Sequence, residues 1–160
     1  MTAGITGHQN LGSPETMAWV MEQIKQALVK YRIAHGFTSL AVGADQLFAQ
    51  ILREQNIPYT AVIPCREYEA TFQTRADLKN YRGLLQTATG FQTLDFGPPT
   101  ETAFMEAGKR VIDLADMLFA VWNGQPAKGL GGTGDAVKYA LFRKKCVLHI
   151  NPMTQQVTEM

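Results

Sequence analysis

The sequence predicts one three-layer α/β domain, built on a mostly parallel sheet of about five to six strands with helices on both faces. The chain has 160 residues, a length that fits a single domain. Short apolar runs alternate with helical patterns from one end to the other, which is typical of parallel strands joined by right-handed crossovers. No internal repeat interrupts this alternation.

The predicted strands are short runs of apolar and β-branched residues, bounded by residues that favour turns. The run at 117–122 is the most continuous apolar segment, so we expect it to be a central strand covered on both faces. The run at 91–96 alternates and is expected near an edge. The predicted strands cover residues 2–6, 37–42, 59–63, 91–96, 117–122 and 146–150.

The predicted helices lie between these strands. Ser13 is a suitable cap and Pro14 a suitable first residue for a helix whose apolar residues recur at helical spacing until Gly36. The residues after Pro152 are polar, so we expect a domain over 1–152 followed by a frayed tail over 153–160. Further helices are expected at about 45–56, 67–87, 100–114 and 133–142.

Charge and hydropathy argue against several classes of protein. The net charge is +1, whereas strong nucleic-acid binding usually needs a basic excess. The chain has no apolar run of about 18 residues. Its first six residues lack a basic segment followed by an apolar one, so we expect a cytoplasmic protein without a membrane segment. Cys and His do not cluster at metal-ligand spacing, and we expect neither a metal ion nor a cofactor.

Functional residues are expected in the loops after the strands, because ligands of open parallel sheets bind outside the carboxyl ends of the strands. The first loop contains Thr6, Gly7 and His8 and leads to the helix capped by Ser13. Glycine lets the backbone approach a ligand, and the free N–H groups at a helix start suit an anion such as phosphate. An ordinary turn is the alternative interpretation.

Two further loops carry weaker signals. Gly43 and Asp45 stand at the start of the second helix. There Asp45 either caps the helix or hydrogen-bonds a ribose hydroxyl or the first loop. Arg66 follows the third strand, where its guanidinium either holds a phosphate or forms a surface ion pair with a nearby Glu.

The loop after the strand at 117–122 is the most informative, because it is dense in glycine and opens a helix near Thr133. Trp122 either stacks on a base or fills the core. The loop lacks the terminal Gly-Lys-Ser/Thr of an ATPase P-loop, and the first loop lacks the spacing of the dinucleotide fingerprint. The ligand contacts predicted here are Trp122, Asn123, Gly124, Gly131, Gly132 and Thr133.

Four segments together resemble the SLOG superfamily: Thr6-Gly7-His8, Gly43-Ala44-Asp45, the run 115–124 and Gly131-Gly132-Thr133. This group includes Lonely Guy phosphoribohydrolases, molybdenum-cofactor carrier proteins, the Rossmann-like domain of DNA-processing proteins and nucleotide-sensing domains. The resemblance spans about residues 2–151. It implies a Rossmann-like fold, a nucleotide-derived ligand over the glycine loops and a homo-oligomer.

The resemblance covers only part of the catalytic motif of the Lonely Guy enzymes. Lonely Guy enzymes carry Pro-Gly-Gly-x-Gly-Thr-x-x-Glu, whose Glu works with an Arg on the preceding helix. Here Gly132-Thr133 matches the Gly-Thr pair, but the position of the Glu is Ala136. Asp135 lies one residue earlier, about 100° around a helix. If the chain is an enzyme, its candidate catalytic residues are Asp135, Glu106 and Arg110.

Three functions stay open on this basis. The first is a sensor or carrier that binds a nucleotide-like small molecule, because the loops suit phosphate and the catalytic set is incomplete. The second is an N-glycosidic hydrolase or ribosyltransferase for a nucleoside monophosphate, in which a carboxylate stabilises an oxocarbenium-like transition state. The third is a single-stranded DNA module, which the near-neutral charge disfavours.

Overall fold

The computed structural model describes residues 1–126 and 132–160. Seven strands form one sheet in the order β4-β3-β2-β1-β5-β6-β7. Neighbouring strands are parallel from β4 to β6, and β7 is antiparallel to β6. The strands are β1 Thr2–Gly7, β2 His35–Thr38, β3 Tyr59–Ile63, β4 Gly90–Thr93, β5 Met117–Val121, β6 Cys146–Asn151 and β7 Gln156–Glu159.

Five α-helices cover the two faces of the sheet. The chain moves in one direction from β1 to β4, so right-handed crossovers place α1, α2 and α3 on one face. The direction reverses after β4, which places α4 and α5 on the other face. The helices are α1 Pro14–Lys30, α2 Ala44–Glu54, α3 Arg75–Thr87, α4 Glu101–Leu114 and α5 Thr133–Phe142.

The buried side chains confirm the three layers. Ile24 of α1 and Phe48 of α2 belong to one large apolar cluster with Phe119 of β5. Val137 of α5 packs in a separate cluster with Leu118, the neighbour of Phe119. Adjacent residues of β5 thus point to opposite faces, and all five residues of this strand are buried, as predicted for a central parallel strand.

The start of α1 confirms the sequence prediction in detail. The hydroxyl of Ser13 accepts a hydrogen bond from the Thr16 N–H at 3.2 Å, and Pro14 is the first helical residue. The predicted helix at 67–87 is instead two pieces, a 3₁₀ turn at Tyr68–Thr71 and α3. Thr74 begins α3, because its hydroxyl accepts from the Asp77 N–H at 3.1 Å.

The C-terminal residues are ordered, which corrects the expectation of a frayed tail and adds a seventh strand to the predicted five or six. The side chain of Asn151 accepts from the Met153 and Thr154 N–H groups, and this turn returns the chain antiparallel to β6. All four residues of β7 are exposed, so the strand has no alternating pattern that would predict it.

Candidate functional site

The switch point of the sheet lies between β1 and β5, because the strand order reverses there. The two strands are parallel neighbours, and Gly7 is in register with Val121. The first loop and the loop after β5 therefore leave the sheet side by side. We call the region between them the β1–β5 crevice.

His8 connects the two loops directly. Its N–H donates to the Val121 carbonyl at 3.1 Å, and its imidazole Nε2 accepts from the Asn123 N–H at 3.0 Å. The second bond requires a neutral imidazole that carries its proton on Nδ1. His8 thereby fixes the backbone at the end of β5.

Gly43 and Gly7 allow α2 to approach this region closely. Gly43 is the N-cap residue of α2 and has a φ of +91°. The Ala44 N–H donates to the His8 carbonyl at 3.1 Å. A Cβ at Gly7 would lie 2.4 Å from the Cβ of Ala44. The first loop, the start of α2 and the end of β5 thus pack as one unit.

His149 is a residue of this region that the sequence analysis missed. Its Nε2 donates to the Trp122 carbonyl at 2.7 Å, while His8 accepts from the N–H of the same peptide unit. The Trp122 ring lies 5.1 Å from the His149 ring and packs against the cluster under α5. Its indole N–H donates to the Gln125 carbonyl at 2.8 Å. These contacts favour the core-packing role of Trp122 over base stacking.

Residues near Trp122 shape the rest of the loop. The Asn123 Oδ1 accepts from the Gln125 N–H at 3.0 Å, and Gly124 has a φ of +82°. On the far side of the loop, Gly132 is the N-cap residue of α5 and Thr133 its first helical residue. No described side chain caps this helix. Gly131 lies outside the described residues.

The Asp45 carboxylate is buried and accepts hydrogen bonds from the end of β2 and from the residue that follows it. It accepts from the Thr38 hydroxyl at 3.1 Å and from the Ser39 N–H at 3.0 Å. Burial raises the pKa of Asp45 from 3.8 to about 6, and the hydrogen bonds only partly oppose this effect. Asp45 does not cap α2, because it lies inside the helix and the N-cap residue is Gly43. These contacts hold the end of β2 and the residue that follows it, and neither reaches the first loop.

Arg66 lies apart from the crevice, because β3 is two strands away from β1. Its guanidinium is exposed and forms an ion pair with Asp95 at 2.9 Å. The surface ion pair is therefore the arrangement present, but its partner is Asp95 and not the expected Glu.

The three candidate catalytic residues do not converge. Asp135 lines a narrow cleft between α4 and α5 together with Lys109. Glu106 contacts Lys109 at 3.5 Å on the surface of α4. Arg110 instead donates to Gln92 of β4 at 3.1 Å. Asp135 thus shares a cleft with Lys109, whereas Arg110 contacts β4.

Comparison with known proteins identifies the fold but no family by sequence. No family model and no curated protein matches the chain. DNA processing protein A from Helicobacter pylori, described by its single-stranded DNA binding mode, matches with a TM-score of 0.68 and 15% identity. The match covers 93% of this chain and 64% of that one.

Two further solved structures agree. DNA processing protein A from Streptococcus pneumoniae gives a TM-score of 0.67 at 12% identity, covering 92% of this chain and 49% of that one. The molybdenum cofactor binding protein of Rippkaea orientalis gives 0.60 at 16% identity, covering 94% and 76%. The chain spans less than two thirds of the length of both DNA processing proteins. The chain therefore shares the Rossmann-like α/β fold of these structures.

Helix length and hydropathy determine whether a segment can cross a bilayer. Within residues 1–126 and 132–160, no helix combines sufficient length with sufficient apolar character to cross a membrane.

Proposed function

From this Rossmann-like fold and the resemblance to the SLOG superfamily, we propose that the chain is a sensor or carrier module that binds a nucleotide-derived, phosphate-bearing small molecule in the β1–β5 crevice. The observation that carries the proposal is the His8–Asn123 bond of 3.0 Å, which joins the first loop to the β5 loop at the switch point. Two loops selected separately from the sequence thus meet where ligands of open α/β sheets bind.

The phosphate is assigned to the start of α5. Gly132 leaves the first turn of this helix without a side-chain cap, so its N–H groups and the helix dipole are available to an anion. Thr133 adds a hydroxyl at the same place. His8 adds an Nδ1–H donor, because its Nε2 is already used as an acceptor.

A panel of nucleoside monophosphates and cyclic nucleotides tests the proposal by thermal unfolding. At about 100 times its dissociation constant, the true ligand stabilises the fold by about 2.7 kcal/mol. This corresponds to an increase in Tm of about 5–10 °C for a chain of this size. Thr133→Val removes one hydroxyl and is expected to weaken binding by about tenfold.

Thr158→Val is the matched control, because Thr158 is exposed on β7, two strands away from β5. It should leave the dissociation constant unchanged. A panel that produces no shift in Tm would contradict the proposal. Equal affinities in the two variants would remove Thr133 from the site.

An N-glycosidic hydrolase is the second candidate, and it is favoured by the position of Asp135 in the first turn of α5, beside the proposed phosphate. The binding proposal predicts that no free base appears when the chain is incubated with nucleoside monophosphates. Base release that is lost in Asp135→Asn would assign the hydrolase function instead. Chromatography of the reaction mixture distinguishes the two.

Two partner predictions accompany the proposal. The net charge of +1 favours a small ligand over a DNA strand, even though the H. pylori protein is described as binding single-stranded DNA. A homo-oligomer stays a prediction, and light scattering at several protein concentrations measures it.

A further inference from the structure

A cavity lies over the outer side of α2, between the first loop and α3; Gly43 lines it, but no described residue of the loop after β5 does. We call it the α2 cavity. Its volume is about 580 Å³, which lies within the range of small-molecule sites. Leu11, Leu47 and Leu84 line it and are each at least nine-tenths buried, so they supply an apolar floor.

The charged residues of the α2 cavity favour an anion. Arg53 and Lys79 line it, and Asp77 is the one carboxylate among the lining residues. Among residues 1–126 and 132–160, neither Arg53 nor Lys79 forms a salt bridge. The cavity therefore has two cationic groups without a partner carboxylate.

Gln46 supplies a hydrogen-bond acceptor to the lining of the α2 cavity. It is 8% exposed, and its Nε2 donates to the carbonyls of Leu40 at 3.2 Å and Asp77 at 3.4 Å. Its Oε1 accepts from no described residue. Every fully buried side-chain N or O atom in the described part of the chain has a partner, so this oxygen must reach open space. Gln46 lines the α2 cavity, and we infer that its free oxygen opens into it.

We propose that the α2 cavity is a second small-molecule site, which takes a flat nitrogen heterocycle carrying a carboxylate. The flat ring packs on the leucine floor, and a ring N–H donates to the Gln46 Oε1, which otherwise stays unpaired. The carboxylate lies against Arg53 and Lys79. The proposal concerns binding alone and adds a site outside the crevice.

Orotate is the probe, because it is a flat heterocycle with ring N–H groups and a carboxylate but has no phosphate. Isothermal titration of the full chain should give one orotate site. Uracil lacks the carboxylate and benzoate lacks the ring N–H. We expect each to bind at least about tenfold more weakly than orotate.

Gly83 provides a blocking variant that is compatible with the fold. It lies on α3 at the cavity wall, and a Cβ added there meets no heavy atom within 4 Å. Gly83→Phe should weaken orotate binding by at least about tenfold, because its ring enters the cavity from the α3 wall. Gly83→Ala is the matched control and should bind orotate with unchanged affinity.

The charge requirement has its own pair of variants. Lys79→Gln should weaken orotate binding by about tenfold. Lys138→Gln should leave it unchanged, because Lys138 is exposed on α5, on the opposite face of the sheet. Both lysines lie on helix surfaces, so the pair separates a local contact from a change in net charge.

Three outcomes would overturn the proposal: no binding of orotate at millimolar concentration, unchanged binding in Gly83→Phe, or equal affinities for orotate, uracil and benzoate. Because orotate has no phosphate, each of these leaves the nucleotide proposal intact. Conversely, a nucleotide panel without effect leaves the orotate result intact.

Discussion

Replacing Gly43 by alanine is expected to lower the free energy of unfolding by at least about 3 kcal/mol. Gly43 has a φ of +91°, a conformation that strains residues with a side chain. A Cβ there would also lie 2.4 Å from the carbonyl oxygens of both His8 and Gln9. These are backbone atoms, so the clash is relieved only by moving the first loop away from α2. Urea unfolding followed by circular dichroism measures the loss.

The control is Gly108→Ala on α4, where an added Cβ has no heavy atom within 4 Å. It should raise the free energy of unfolding by about 0.5–1 kcal/mol, because alanine favours the helix. The same displacement of the first loop should weaken nucleotide binding in Gly43→Ala. A Gly43→Ala variant within about 1 kcal/mol of the parent would show that the loop and α2 are not packed as described.

The second large effect concerns pH and Asp45. Burial raises the pKa of this carboxyl to about 6 in the folded protein, against 3.8 ordinarily. Between these values the folded state keeps a proton that the unfolded chain has released, so stability is full below the lower value and falls as pH rises. The difference of about two pKa units corresponds to about 3 kcal/mol.

Asp45→Asn isolates this effect, because its amide does not titrate and its oxygen can still accept from Thr38 and Ser39. The free energy of unfolding of the parent minus that of the variant should fall by roughly 2.5 kcal/mol between about pH 4 and about pH 7, which is most of the full effect. Urea titrations at several pH values measure it. A difference that stays constant or rises over this interval is incompatible with a buried carboxyl at the start of α2.

Local signals in the sequence were sufficient for most of the fold. The continuous apolar run of β5 predicts a strand buried on both faces, and Ser13 with Pro14 predicts the start of α1. Alternating strands and helices predict a parallel sheet with two helical layers. β7 could not be predicted, because it exists through backbone pairing with β6 while its four side chains stay exposed. The break before α3 depends on one threonine cap.

The candidate site was predictable only in part. The switch-point rule alone predicts that the loops of His8 and Asn123 belong to one ligand site. His149 could not be selected, because its contact with Trp122 requires the register between β5 and β6. The α2 cavity and the free oxygen of Gln46 also depend on how α2 and α3 pack. The inward orientation of the Asp45 carboxylate depends on the hydrogen-bond donors that Thr38 and Ser39 supply.

The most direct measurement of the central claim is a heteronuclear NMR titration of the full chain with the nucleotide that raises Tm most. The account predicts saturable shifts of the amides of Gly7, His8, Asn123 and Thr133 that fit one dissociation constant. Shifts confined to Arg66 or to the walls of the α2 cavity, or no saturable shift, would contradict it.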